Sequence, residues 1–249
     1  MFDYDNYYSN TSNKFDRIRV DGNIEVASTV QILINYIDNK ANILDIGCGT
    51  GRYSLSLRNM GYDVIGIDKS YSQIEEAKKK INCSIGNIEN LHFEDSFFTM
   101  CFAIMMIHQL SDNERIKGMK EIYRILKNKG NFIIKTCSHD DLLKRSGIQY
   151  FPSMYDSNVL RYPAIDILNK ELCDVGFKIS ECFGKHTQEI MFKTQWIESL
   201  ESKHNTSLAM LDENEFYKGI EKIKNDCSLK KEVIIDHHHT YIVAQKFFV

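Results

Sequence analysis

Between residues 24 and 37 the apolar positions fall at helical spacing, with Val26, Val30, Leu33, Ile34 and Ile37 on one face, which predicts an amphipathic helix. After residue 40 the rhythm changes. Short apolar runs at 43–46, 63–67, 83–86, 99–105 and 131–135 predict five strands. The 99–105 run is nearly continuous, as a strand covered on both faces should be. Helical patterns separate several of these runs, at 52–59, 70–80 and 112–126. Ser70 followed by Gln73 has the spacing of a capping box, and Met119, Ile122, Tyr123 and Leu126 share one side of the 112–126 helix. Asn128, Lys129 and Gly130 are expected to form a turn. Strand and helix in alternation predict an α/β fold with a parallel, doubly wound sheet.

The second half is less regular. Residues 138–163 read as a loop-rich stretch that holds both prolines, Pro152 and Pro163. A helix is expected over 164–175, ending at Gly176 as a left-handed cap, and a strand over 177–183. The 185–231 stretch reads as two helices, around 196–201 and 213–225, before a final strand over 233–247. A structureless segment of that length is rare in a compact domain, so these helices are expected to pack. Residues 1–22 are polar and aromatic without a clear period and read as an arm with one short helix.

Composition narrows the class without changing the fold. Among 249 residues, 43% are apolar and 26% charged, ordinary values for a globular protein. A net charge of −3 gives no general footprint for nucleic acid, although it leaves room for a local basic patch. Seven scattered cysteines without C-x-x-C spacing fit reduced thiols rather than a disulfide framework. The acidic, aromatic start is unlike a targeting peptide, and no apolar run is long enough to span a membrane. The expectation is a cytoplasmic protein.

The chemistry concentrates in Asn42-Ile43-Leu44-Asp45-Ile46-Gly47-Cys48-Gly49-Thr50-Gly51, followed by Val64-Ile65-Gly66-Ile67-Asp68. Alternating glycines at a strand-to-helix turn let the backbone approach a ligand, and the next helix offers free N–H groups. An acid ending the second strand is placed to accept hydrogen bonds from a ribose diol. These features describe a nucleoside-cofactor site. A dinucleotide G-x-G-x-x-G starting at Gly47 would need its third glycine where Arg52 stands, and no Gly-Lys-Ser/Thr of a P-loop follows.

The string Asp45 to Gly51 resembles the first motif of class I S-adenosylmethionine-dependent methyltransferases. The resemblance continues through Asp68, Asn87-Ile88, Phe97 to Ala103 with Ile107-His108-Gln109-Leu110, and Glu121 to Gly130, covering about residues 40–137. It implies a Rossmann-like seven-stranded sheet, mostly parallel with an antiparallel last strand, topped by a helical and loop lid. It implies S-adenosylmethionine as cofactor, with Asp68 on the ribose hydroxyls, Asn87 and Ile88 at the adenine, and Asp45 orienting the glycine loop and the cofactor's amino group. Gly47, Cys48, Gly49, Gly51, Lys69 and Ala103 complete the implied cofactor set, with Tyr8 and Arg19 joining from an arm that closes over it. Thr99, Asn87 and Asn128-Lys129-Gly130 depart from the family's usual acids and Pro-Gly-Gly turn and put only contact details in doubt.

His108 follows the fourth strand, where the acceptor of such an enzyme is expected to approach, and could take a proton from it; packing beneath the cofactor is its structural alternative. Arg145, Tyr150, Tyr155, Arg161 and Tyr162 would suit a carboxylate-bearing or aromatic acceptor, or else solvate a loop. In His237-His238-His239 only His237 and His239 share a strand face, and with no further ligand evident no metal is expected. The expectation is one domain over 1–249. Residues 1–40 form an arm and helix, 41–137 the cofactor core, 138–163 and 185–231 substrate-lid insertions, and 164–184 and 232–249 the rest of the sheet. The expected activity is methyl transfer to an N, O or C nucleophile of a small soluble acceptor, with no membrane partner. An RNA or peptide acceptor, or a non-catalytic cofactor-binding regulator, is the alternative.

Overall fold

A computed structural model describes residues 6–7, 11, 24–37, 41–203 and 205–247. The expected helix is α1 (Ile24–Ile34), which buries Thr29, Val30 and Leu33. The core then alternates as the apolar pattern requires, through β1 (Asn42–Ile46), α2 (Arg52–Asn59), β2 (Asp63–Asp68), α3 (Tyr71–Ala77), β3 (Asn82–Ile85), β4 (Phe98–Ile104), α4 (Asp112–Ile125) and β5 (Leu126–Thr136). After β5 come α5 (His139–Leu143), α6 (Ser153–Arg161), α7 (Ile165–Val175), β6 (Phe177–Phe192), α8 (Lys193–Glu201), α9 (Thr206–Ala209), α10 (Glu213–Asp226) and β7 (Glu232–Lys246).

The seven strands form one sheet in the order β3-β2-β1-β4-β5-β7-β6. Strands β1 to β5 pair in parallel, and β7 lies antiparallel between β5 and β6, so the expected Rossmann-like sheet with an antiparallel last strand is present. Apolar side chains cover both faces. One layer joins Leu44, Ile46, Phe98, Phe132 and Ile134 to α4 and α7, and the other joins Ile43, Val64, Met100, Phe102 and Ile133 to α1 and α2. Arg124 fixes the approach to β4: its guanidinium donates to the Leu91 and Phe93 carbonyls, each at 2.8 Å, and pairs with Glu121 and Asp95. That network is what the Glu121-x-x-Arg124 pattern encodes.

Four local expectations are corrected. Ser70 caps α3 without a side-chain bond, because its hydroxyl meets Ser72 while Gln73 is buried. Residues 128–130 are incorporated in β5, with Lys129 at a φ of 64° and a register shift against β4 between Phe98 and Met100. The 138–163 stretch is largely helical. A capping box explains its start: the Asp141 N–H donates to Ser138 Oγ at 3.1 Å, and the Ser138 N–H to Asp141 Oδ2 at 2.9 Å. β6 does not stop at residue 183 but pairs with β7 through Phe192. β5 ends where Thr136 meets Thr240, so the β6–β7 ribbon continues alone at the carboxyl end of the parallel strands. Ligands of open α/β sheets bind at that end.

Helices α6 and α8 to α10 form a roof with its own apolar core, in which Phe151, Trp196, Leu200, Leu208, Phe216 and Ile223 pack together. The ribbon contributes Val233 and Ile235 to it. Among the described residues, no helix is long and apolar enough to cross a membrane.

Candidate functional site

The glycine loop after β1 is held by its own backbone. Gly47 N–H and Cys48 N–H both donate to the Ile67 carbonyl, at 2.8 and 2.9 Å, so the loop stays docked against β2. Gly47, Gly49 and Gly51 have φ values of 70°, 54° and 82°, a left-handed region that side chains resist. A Cβ on Gly47 would stand 2.9 Å from Met106 Cγ, so the loop and the segment after β4 need that glycine to pack closely.

Two carboxylates stand below and beside this loop. Asp45 is 1% exposed and accepts a 2.7 Å hydrogen bond from Ser54 Oγ on α2. Burial pushes its pKa up to about 7, against the pull of the Ser54 bond. Asp68 accepts from the Gly49 N–H and the Ser70 N–H, both at 2.9 Å, with the Lys69 N–H adding support. Burial raises its pKa, and these three bonds oppose the shift. A carboxylate has about four acceptor positions, so Asp68 keeps capacity toward a ligand hydroxyl.

These residues border a cavity of about 790 Å³, within the range of ligand sites. Its wall brings together Asp45, Gly47, Cys48, Gly49, Asp68, Lys69, Asn87 and Ile88 from the expected cofactor set. Two members of that set fall elsewhere. Ala103 is fully buried in the core, and Gly51 is the left-handed cap of α2, where a Cβ would meet Ile81 Cδ1 at 2.7 Å. Both shape the site from behind. Tyr8 and Arg19 lie outside the described residues, but the neighbouring Tyr7 reaches the wall and donates to the Lys203 carbonyl at 2.9 Å. Cys48 turns back over Gly66, and burial drives its thiol far above the usual range, so it remains protonated. The cradle of left-handed glycines, the ribose-side acid with spare acceptor capacity and the apolar Ile88 fit a nucleoside cofactor.

The far wall is built from residues distant in sequence. His108 is buried on the short turn after β4 and stacks on Tyr162, with ring centroids 4.1 Å apart and planes 9° from parallel. Its Nδ1 is buried with no partner among the described residues. Burial, then Arg161 and Arg145, hold its pKa well below the usual histidine value, so the ring is neutral. Arg145 and Tyr162 also line the cavity. The other three expected acceptor residues do not. Tyr150 packs toward Trp196, Tyr155 joins a small cluster with Leu142, and Arg161 donates to Thr206 Oγ1 at 2.8 Å, tying α6 to α9.

The β6–β7 ribbon adds groups that local pattern did not connect to this cavity. His237 and His239 do share one face, and both turn toward Glu25 of α1. Glu25 accepts a 2.7 Å bond from the buried Lys135, and its pKa stays well below the usual range, with Lys135 and both histidines offsetting the cost of burial. On the other face, His186, Asp236 and His238 bring donor atoms within 4.8 Å of one another. The His186 and His238 rings stack only 4° from parallel with centroids 4.1 Å apart. Ring-nitrogen lone pairs lie in the ring plane, so this stack does not aim both histidines at one ion.

Comparison with known proteins agrees with the geometry. Residues 44–134 match the family model described as a methyltransferase domain. The chain is 28% identical to an uncharacterized protein of Methanocaldococcus jannaschii over 57% of its own length and 59% of that protein. It is 30% identical to the malonyl-[acyl-carrier protein] O-methyltransferase of Hamiltonella defensa over 41% of its length and 40% of that protein. These matches therefore span less than two thirds of either relative. Among solved structures, one described as a putative methyltransferase from an antibiotic biosynthesis pathway of Anabaena variabilis superposes with a TM-score of 0.69 at 19% identity, covering 92% of this chain and 99% of that one, a likeness of fold.

Proposed function

From the premise that this chain carries a class I S-adenosylmethionine-dependent methyltransferase domain, we propose that it methylates an N, O or C nucleophile of a small soluble acceptor held beneath the roof. When bound, S-adenosylmethionine supplies an electrophilic methyl group on a sulfonium. Asp68 would hold the ribose hydroxyls, Gly47 and Gly49 the amino-acid end, Asp45 its ammonium group, and Asn87 and Ile88 the adenine. The protein's own contribution is alignment and exclusion of water. His108, neutral and on the cavity wall, is the group placed to accept a proton from the acceptor. We further read the 138–163 and 185–231 segments as the lid, of which 185–192 belong to β6 and form its side wall with β7.

The observation that carries this reading is the continuity of one cavity from the Gly47–Asp68 edge to His108, Arg145 and Tyr162. Calorimetric titration tests the cofactor half: saturable binding of S-adenosylmethionine and S-adenosylhomocysteine is expected, and no heat from either would sink the proposal. Incubation of a cell extract with methyl-tritiated S-adenosylmethionine and the enzyme tests the acceptor. Label is expected in the fraction that passes a small-pore filter. Label confined to RNA or protein would replace the small acceptor with a macromolecule.

A further inference from the structure

We infer that the acceptor carries an anionic group, a carboxylate or a phosphate, and that Arg145 receives it beside His108. This rests on the methyl-transfer reading above and names the class of its substrate. Arg145 follows α5 and reaches the cavity wall. Its Nη2 donates to Tyr162 Oη and to Cys137 Sγ, each at 3.1 Å, and the guanidinium lies 5.3 Å from the Tyr162 ring centroid. Among the described residues no carboxylate comes within 4.0 Å of it. A guanidinium has five N–H donors, and a thiol and a phenol satisfy few of them. Arg145 is half-buried at the cavity wall, and a guanidinium left there without a counter-ion favours an anionic ligand.

A second observation points the same way. His108 lines the same wall, and Arg145 and Arg161 both oppose charging of its ring. The wall therefore carries positive potential beside a neutral imidazole. Tyr162 connects the two, stacking on His108 and accepting from Arg145. The acids that share the cavity stand elsewhere: Asp45 and Asp68 at the cofactor edge, Glu114 bonded to Ser111, Glu198 on α8, and three more toward the ribbon. Glu25 is bound by Lys135, Glu189 lies 3.3 Å from His237, and Asp236 accepts from Gln188 and meets His186 at 2.8 Å. All three face the ribbon side. A planar carboxylate or a phosphate would meet the free edge of the guanidinium in the two-pronged geometry that arginine favours.

The test uses the whole protein loaded with S-adenosylhomocysteine, in wild-type, Arg145→Gln and Arg145→Lys forms, titrated with benzoate, inorganic phosphate and the neutral benzamide. One anion is expected to bind saturably to wild type, at least tenfold better than benzamide, and the preferred anion identifies the source. Arg145→Gln should weaken that binding at least tenfold and Arg145→Lys should restore part of it. Affinity for S-adenosylhomocysteine should stay within about twofold in all three, which also shows that each variant is folded. Anion binding unaffected by Arg145→Gln, equal binding of benzamide, or no anion binding by the loaded wild type overturns the inference. Failure of the wild type to bind S-adenosylhomocysteine would instead indict the cofactor reading.

Discussion

The cavity has two ends built on different principles. At the cofactor end, each contact sits within a few residues of a strand terminus, and the backbone makes the geometry: Gly47 and Cys48 bond the Ile67 carbonyl, and Asp68 bonds Gly49 and Ser70. At the acceptor end, side chains from after β4, after β5, the end of α6 and the ribbon converge, beside the roof core and a small cluster of Cys137, Leu142 and Tyr162. The first end is a property of the sheet. The second depends on how the roof packs, so the two should respond differently to substitution.

The largest expected effect is on that packing. Phe151 is 1% exposed, stacks on Phe216 with centroids 6.1 Å apart, and fills the space above Gly219. Phe151→Ala should cost about 3–5 kcal/mol of roof stability. Hydrogen exchange is then expected to speed up in α6 and α8–α10 while β1, β2 and β4 stay protected, with cofactor affinity changed less than about threefold. Simultaneous loss of protection in roof and sheet would show the two ends to be one cooperative unit and break the comparison.

Asp68→Ala acts on the sheet end. It removes the acceptor for two loop N–H groups as well as the ribose contact, so cofactor affinity should fall about 100-fold, consistent with charge-assisted bonds worth about 1.5–3 kcal/mol. Calorimetry reads this directly. Anion binding at Arg145 should change little, and a parallel loss there would mean that the ends are coupled.

This contrast also explains what the sequence made legible. The strand ends, Asp45 with its glycines, Asp68 and the Glu121–Arg124 staple could be placed because each is fixed by neighbours close in the chain or by a recurrent strand-end geometry. Ser138 with Asp141 was such a local signal too, and read as a capping box it would have started α5 inside the supposed loop. Ser70 with Gln73 carried the same spacing but lost to tertiary packing, which buried the glutamine. Arg145 and Tyr162 are 17 residues apart, and Glu25 reaches a ribbon more than 200 residues away. Nothing local encodes those meetings. The extension of β6 was hidden because Lys185 to Glu189 is an unbroken polar run with no alternating apolar face.

Asp45→Asn tests the sheet end more finely. In the folded protein burial raises this carboxyl from an unfolded value near 3.8 to about 7. A raised folded pKa means that its contribution to stability is fully present below the unfolded pKa and is lost as pH rises toward 7. Asparagine removes the titration, so the ligand-free variant should gain stability over wild type as pH goes from about 4 to 7, with the advantage then constant to pH 8. Thermal melts at pH 5 and 8 measure it. Cofactor affinity should fall about tenfold, since a charge-assisted bond to the cofactor's ammonium group is lost. Equal melting differences at both pH values would show that Asp45 is already ionised in the folded chain.

The smallest effect expected is at the acceptor end. Tyr162→Phe keeps the ring that stacks on His108 and deletes only the hydroxyl that accepts from Arg145. The bond is charge-assisted, but only the part of it coupled to the anion is read, so benzoate or phosphate binding should shift by about two- to tenfold. The direction carries the argument. If the hydroxyl orients the guanidinium toward the cavity, its loss weakens anion binding. If the phenol competes with the anion for the same N–H, its loss strengthens binding, and Arg145 would then rest on Tyr162 only until an acceptor arrives. In either case cofactor affinity should not move, because the Tyr162 hydroxyl belongs to the wall that the roof builds and not to the loop that the sheet builds.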